Sequence, residues 1–165
     1  GPIMEKFEPK IEHVNQAATQ NSSSSGHYLV VLLNGEKYFV SLVLVSRIIK
    51  AKEIFTIPET FEFIEGVFNF SGEIVPVLNL KKLLKLPDID YAQEQKFMIC
   101  IIDGIKICFS IDDVEAEFNI DPGSIKTDTV KVLENDFISG EYIVKKEVVG
   151  IIDLPLVVDR YKYRE

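Results

Sequence analysis

From Tyr28 onward, short apolar runs alternate with turn pairs. Residues 28–33 are continuously apolar, Asn34-Gly35 is a hairpin signal, and residues 37–44 read as the returning strand. Residues 51–62, with Pro58 among them, read as a connection. Residues 63–70 open and continue a strand, Ser71-Gly72 turns it, and residues 73–78 return, rich in β-branched side chains. Asn79 is placed to cap a short helix over 80–86, in which Leu80, Leu83 and Leu84 keep helical spacing and Pro87 ends the run. Apolar runs without polar alternation imply strands buried on both faces, as in a closed barrel. Pro76 inside its strand marks an edge or a bulge; the position reads either as a simple bend at a barrel corner or as an edge shaped to face a partner.

The second half repeats the first. Residues 97–104 echo 28–35 at an offset of 69, and Phe137-Ile138-Ser139-Gly140 echoes Phe63-Ile64-Glu65-Gly66 at an offset of 74. The second register places Asp153 on Asn79, and both residue types cap helices. The difference of five implies an insertion in the later connection. An internal duplication with about five strands per copy predicts an all-β protein with short helices. Its architecture would be two small barrels, about 36–90 and 97–155, within a domain spanning 27–160. Neither half is large enough to be stable alone, so the apolar surplus should be buried where they meet. Residues 1–26 are polar and end in a serine run, which predicts a flexible tail; a short helix within 7–18 is the alternative. Gly1-Pro2 reads as a protease-cleavage scar.

Composition narrows the function. A net charge of −8 argues against nucleic acid. No apolar run approaches the ~20 residues that span a bilayer and no signal-peptide pattern opens the chain, so a cytoplasmic protein without membrane insertion is expected. The two cysteines, Cys100 and Cys108, flank Asp103-Gly104. A two-residue turn there sets Cys100 opposite Ile107 and points Cys108 to the other face, so the pair reads as small buried hydrophobes rather than a disulfide.

Chemistry is scarce. His13 and His27 have no ligand partners at metal spacing, so no metal site is expected. Asp112-Asp113 reads as a solvated turn or strand edge, because neighbouring strand residues face opposite ways. Lys81, Lys82 and Lys85 read as the solvated face of the short helix, with docking to an acidic partner as the other reading. The chain has no nucleophile elbow, P-loop or dinucleotide fingerprint, so no catalytic residue and no cofactor are assigned.

The segment FIEGVFNFSGEIVPVLNL resembles the central motif of the CheW family of chemotaxis scaffold proteins, F-I-x-G-V-x-N-x-R-G-x-I-x-P-V-I-D-L. Phe63, Ile64, Gly66, Val67, Asn69, Gly72, Ile74, Pro76, Val77 and Leu80 match it. Ile111-Asp112-Asp113-Val114 is similar to the family's V-D-x-V segment, and the likeness runs from Tyr28 to Val158. The resemblance implies two five-stranded SH3-like barrels around a shared seam. It also implies a non-enzymatic adaptor that joins the cytoplasmic tips of methyl-accepting chemoreceptors to the regulatory domain of a CheA-type histidine kinase, in rings or arrays. By matching position, Val45, Arg47, Gly66, Asn69 and Ser71 would line the receptor groove between the barrels, although Gly66 also has a purely backbone reading.

Asn79 stands where the motif has Asp, and two further departures stand out. The family's V-x-E-I reads Val45-Ser46-Arg47-Ile48 here, and its N-x-R-G reads Asn69-Phe70-Ser71-Gly72. The acid has become Arg47 and the base Ser71, with Glu73 or a partner carboxylate as the acid left for Arg47. This predicts a divergent adaptor with altered partner choice, the other reading being neutral drift at an exposed rim pair worth under about 1 kcal/mol. The alternatives are a CheW-like module of a larger signalling protein, and a small-ligand-binding β-barrel sensor or enzyme.

Overall fold

Among the described residues, four hairpins turn on two residues that both have positive φ, the turn whose twist matches that of the strands it joins. Asn34-Gly35, Ser71-Gly72 and Asp103-Gly104 are three of them, and Lys145-Lys146 makes the fourth without glycine, at φ 48° and 69°. The computed structural model describes residues 26–58, 60–92, 94–127 and 135–163. The expected tail, apart from Gly26, lies outside the described residues.

In chain order the strands are β1 (His27–Leu33), β2 (Glu36–Ser41), β3 (Val45–Lys50), β4 (Ile64–Phe70), β5 (Glu73–Asn79), β6 (Lys96–Ile102), β7 (Ile105–Ile111), β8 (Asp113–Asn119), β9 (Ile138–Val144) and β10 (Glu147–Ile152). Helix α1 (Leu80–Leu83) follows β5 and α2 (Leu154–Tyr163) follows β10. The strands form two five-stranded sheets, ordered β8-β1-β2-β10-β9 and β3-β6-β7-β5-β4. Exchanging each strand for its counterpart in the other half turns one order into the other, so the duplication is visible in the topology. Each sheet closes through an isolated bridge, Phe55 to Val67 in the second and Lys126 to Glu141 in the first. The offset change has its insertion: residues 51–63 join β3 to β4, whereas residues 120–137 join β8 to β9.

The barrels are not the halves of the chain. The division at 36–90 and 97–155 is corrected here: β1 and β2 pair with β8, β9 and β10, while β3, β4 and β5 pair with β6 and β7. The returning strand ends at Ser41, not at residue 44, because a 3-10 turn over Leu42–Leu44 carries the chain into the other sheet as β3. Pro76 is likewise not on an edge. Strand β5 lies between β7 and β4, and its pairing with β7 starts one residue later, at Val77.

Burial explains the unbroken apolar runs. Leu29, Val31, Leu33, Tyr38, Val40, Met98, Cys100 and Ile102 point into one large cluster shared by both sheets. Their neighbours point the other way: Val30 and Phe39 fill the first barrel, while Phe97 and Ile99 fill the second. The central strands are covered on both faces, so period-2 alternation disappears. Cys100 pairs across from Ile107 and Cys108 enters the other cluster, as the turn geometry requires.

Both helices start in the same way. Asn79 Oδ1 accepts from Lys82 N at 3.0 Å, and Asp153 Oδ1 accepts from Leu156 N at 3.1 Å. Helix α1 is shorter than the expected 80–86, ending before Lys85, whose φ is 56°.

Candidate functional site

The motif residues collect at the β4–β5 hairpin of the second barrel. Asn69 is exposed and its Oδ1 accepts from Gly72 N at 2.9 Å, which ties the turn. Ser71 sits exposed in that turn at φ 51°. Arg47, half-buried on edge strand β3, sets its guanidinium carbon 6.0 Å from the Phe70 ring centroid. Arg47 therefore lies beside the residue that precedes Ser71, so the two departures from the motif share one surface. Lys106 Nζ also stands 5.8 Å from the centroid of the same ring and pairs with Glu73 at 3.0 Å. Glu73, the acid expected for Arg47, is thus engaged by Lys106. Ile74 and Ile101 are exposed nearby, at 67% and 46%, on strands that flank Lys106. The result is an apolar surface carrying two cations, suited to a protein contact.

Two of the five residues carried over from the motif are not surface residues. Val45 is wholly buried in the shared cluster, where β3 leaves the 3-10 turn, so it holds the seam and lines no groove. Gly66 is buried at φ 145°, and a Cβ there would fall on the Phe55 carbonyl oxygen. Phe55 and Val67 exchange backbone hydrogen bonds of 2.8 and 2.9 Å, closing the barrel at this point. Glycine at 66 thus permits closure, the backbone reading of that position.

Sequence reasoning misplaced a buried ionic network between the barrels. Lys81 and Asp112 were expected in solvent, but their side chains are 7% and 2% exposed and Nζ lies 2.8 Å from Oδ1. The ammonium also donates to Asn34 Oδ1 at 3.0 Å and to the Ile89 carbonyl at 2.8 Å. Asp112 Oδ2 accepts from Asn34 N at 2.7 Å. Asn34 belongs to the first barrel, Lys81 follows the second, and Asp112 is the crossover residue between β7 and β8. A lysine one residue after a helix start carries no sign that the facing surface holds a crossover.

A cleft of about 380 Å³ separates α1 from α2. Phe63, Leu83, Phe137 and Val157 form its floor, in two pairs related by the offset of 74. Lys82, Lys85, Asp136 and Arg160 form its rim. Arg160 packs on Phe137 with 4.8 Å from guanidinium carbon to ring centroid, and lies 3.5 Å from Asp136. Asn135 Nδ2 donates to the Leu84 carbonyl at 2.8 Å. No residue of the cleft is among the five taken from the motif.

Among the described residues no group of three or more His, Cys, Asp or Glu is placed to hold a metal ion, and burial pushes both cysteine thiols up, away from the reactive thiolate. No described helix is long and apolar enough to cross a membrane.

The model of the CheW-like domain matches residues 27–162. This chain belongs to the CheW-like family. It is 28% identical over 134 residues to the chemotaxis protein CheW of Bacillus subtilis (strain 168), covering 80% of this chain and 86% of that protein. Its likeness to the Thermotoga maritima chemotaxis protein CheW is 29% over 70 residues, 42% of this chain and 46% of that one. The crystal structure of the scaffolding protein TtCheW from Thermoanaerobacter tengcongensis superposes with a TM-score of 0.72 at 30% identity, covering 79% of this chain and 85% of that one. The fold is that of a CheW-like scaffold, mostly β and built from two five-stranded sheets.

Proposed function

We propose that this CheW-like chain is a non-catalytic cytoplasmic adaptor. It couples the cytoplasmic tips of methyl-accepting chemoreceptors to the regulatory domain of a CheA-type histidine kinase, within a ring or array. The observation that carries this reading is the family match over 27–162, which takes in both barrels and the seam that joins them. The apolar, two-cation surface at Arg47, Phe70 and Lys106 supports a protein contact there, with Asn69 and Ser71 on its border. Such contacts are weak one to one and become firm through effective concentration in an array.

Co-purification of the chain with the kinase regulatory domain and a receptor cytoplasmic fragment of the same organism tests the coupling. Retention of both partners is expected, and retention of neither overturns it. The altered charges at Arg47 and Ser71 fit an adaptor matched to a non-standard partner, since surface charge chiefly selects partners. A double-mutant cycle of Arg47→Glu and Ser71→Arg, read against the cognate partner and a standard receptor tip, checks this point. Indifference of both partners to the double variant removes the specificity claim.

A further inference from the structure

The cleft between α1 and α2 is a second surface, built from residues that the family motif does not mark. Its apolar lining is drawn from both barrels: half-buried Phe63 and buried Leu83 from one side, buried Phe137 and Val157 from the other. Its rim runs against the charge of the molecule. In a chain of net charge −8, the described residues of the rim include Lys82, Lys85 and Arg160 against one acid, Asp136. Asp136 is already engaged by Arg160 at 3.5 Å. Among the described residues, Lys82 and Lys85 have no acidic partner. Lys82 is half-buried and Lys85 exposed, so both can meet a carboxylate without full desolvation.

We propose that this cleft docks an amphipathic, acidic helical segment of a protein partner. Its apolar face would cover the floor while its carboxylates reach Lys82 and Lys85. The shape favours a segment over a small anion. The Asn135 side-chain amide donates to the Leu84 carbonyl, and the remaining cations sit on the rim, so the described residues form no closed anion cradle. An apolar stripe flanked by acids at i, i+3 and i+4 answers both the floor and the rim. The chain's own Glu5, Glu8 and Glu12 are the competing acidic source.

The test titrates the full chain with two synthetic helical peptides of about 16 residues. Both share one leucine stripe, and one carries Glu and the other Lys beside it. Backbone amide shifts locate the contact, and fluorescence anisotropy gives the affinity. The Glu peptide is expected to move Leu83, Phe137 and Val157 and to bind at least roughly tenfold tighter than the Lys peptide. Lys82→Glu with Lys85→Glu should remove most of that preference. Equal binding of both peptides, or shifts confined to the β4–β5 hairpin, overturns the proposal. Glu5→Gln, Glu8→Gln and Glu12→Gln together should leave the Glu-peptide affinity unchanged; a roughly tenfold gain would assign the cleft to the chain's own start instead. The Lys82/Lys85 variant should also retain the kinase regulatory domain and the receptor fragment in co-purification. Losing them with the peptide would make the cleft part of the coupling surface and end its standing as a second site.

Discussion

Replacing Lys81 with methionine removes the ammonium and keeps the length of the side chain. Nζ bridges Asp112, at 2.8 and 3.1 Å to its two oxygens, to Asn34 Oδ1 and to the Ile89 carbonyl. After Lys81→Met, Asp112 is a carboxylate 2% exposed whose remaining contact is Asn34 N at 2.7 Å. Stranding one member of a buried pair costs about 3–5 kcal/mol. An exposed pair would cost about 0–1 kcal/mol, so the two cases separate cleanly. For a domain of this size, each kcal/mol moves the melting midpoint by roughly 2–4 °C, which gives a fall of roughly 6–20 °C. Urea unfolding with linear extrapolation reads the same loss as a lower midpoint at unchanged slope. Adding Asp112→Asn removes the stranded charge but keeps an acceptor for Asn34 N, so the double variant should recover part of the loss. A loss below about 1 kcal/mol in Lys81→Met, or strict additivity of the two changes, would refute the view that this network clamps the barrels.

Three further outcomes are expected. Gly66→Ala should destabilise by at least about 1–3 kcal/mol from backbone strain alone, since its φ is 145° and its Cβ meets the Phe55 carbonyl. Gly140→Ala, whose Cβ meets the Ile125 methyl Cγ2 at 2.8 Å, should cost less, and chemical denaturation ranks the two. Cys100 and Cys108 should resist a thiol reagent in the native protein and react on unfolding, because burial raises both thiols; rapid native labelling would contradict the packing. Burial, then Glu36 beside it, pushes Tyr38 up to about 12 from 10.0. The folded state favours its protonated form, so that stabilisation is whole below pH 10.0 and fades as pH rises towards about 12. Tyr38→Phe should flatten the alkaline decline in a pH series of unfolding midpoints.

The local grammar could be read from neighbouring residues. Three of the four hairpin turns, both helix caps and the opposed faces of Cys100 and Cys108 follow from turn chemistry and period-2 geometry, which depend on near neighbours alone. The family motif and the two offsets of the repeat were legible for the same reason. Which strands share a barrel emerges only in three dimensions. Strand partnership depends on where Leu42–Leu44 and Asp112 carry the chain across, and the repeat is equally compatible with separate or exchanged halves. Burial of charge was also hidden. Lys81 and Asp112 are separated by the whole of β6 and β7 in the chain, and each alone has the pattern of a solvated residue. Val45 and Arg47 stand two positions apart on one edge strand, yet one is sealed in the seam and the other reaches Phe70 at the surface. A bulge between them breaks the alternation that would otherwise put both on one face. The helix cleft has the same origin: its floor comes from four separated segments that meet only because the seam buries both barrels against each other.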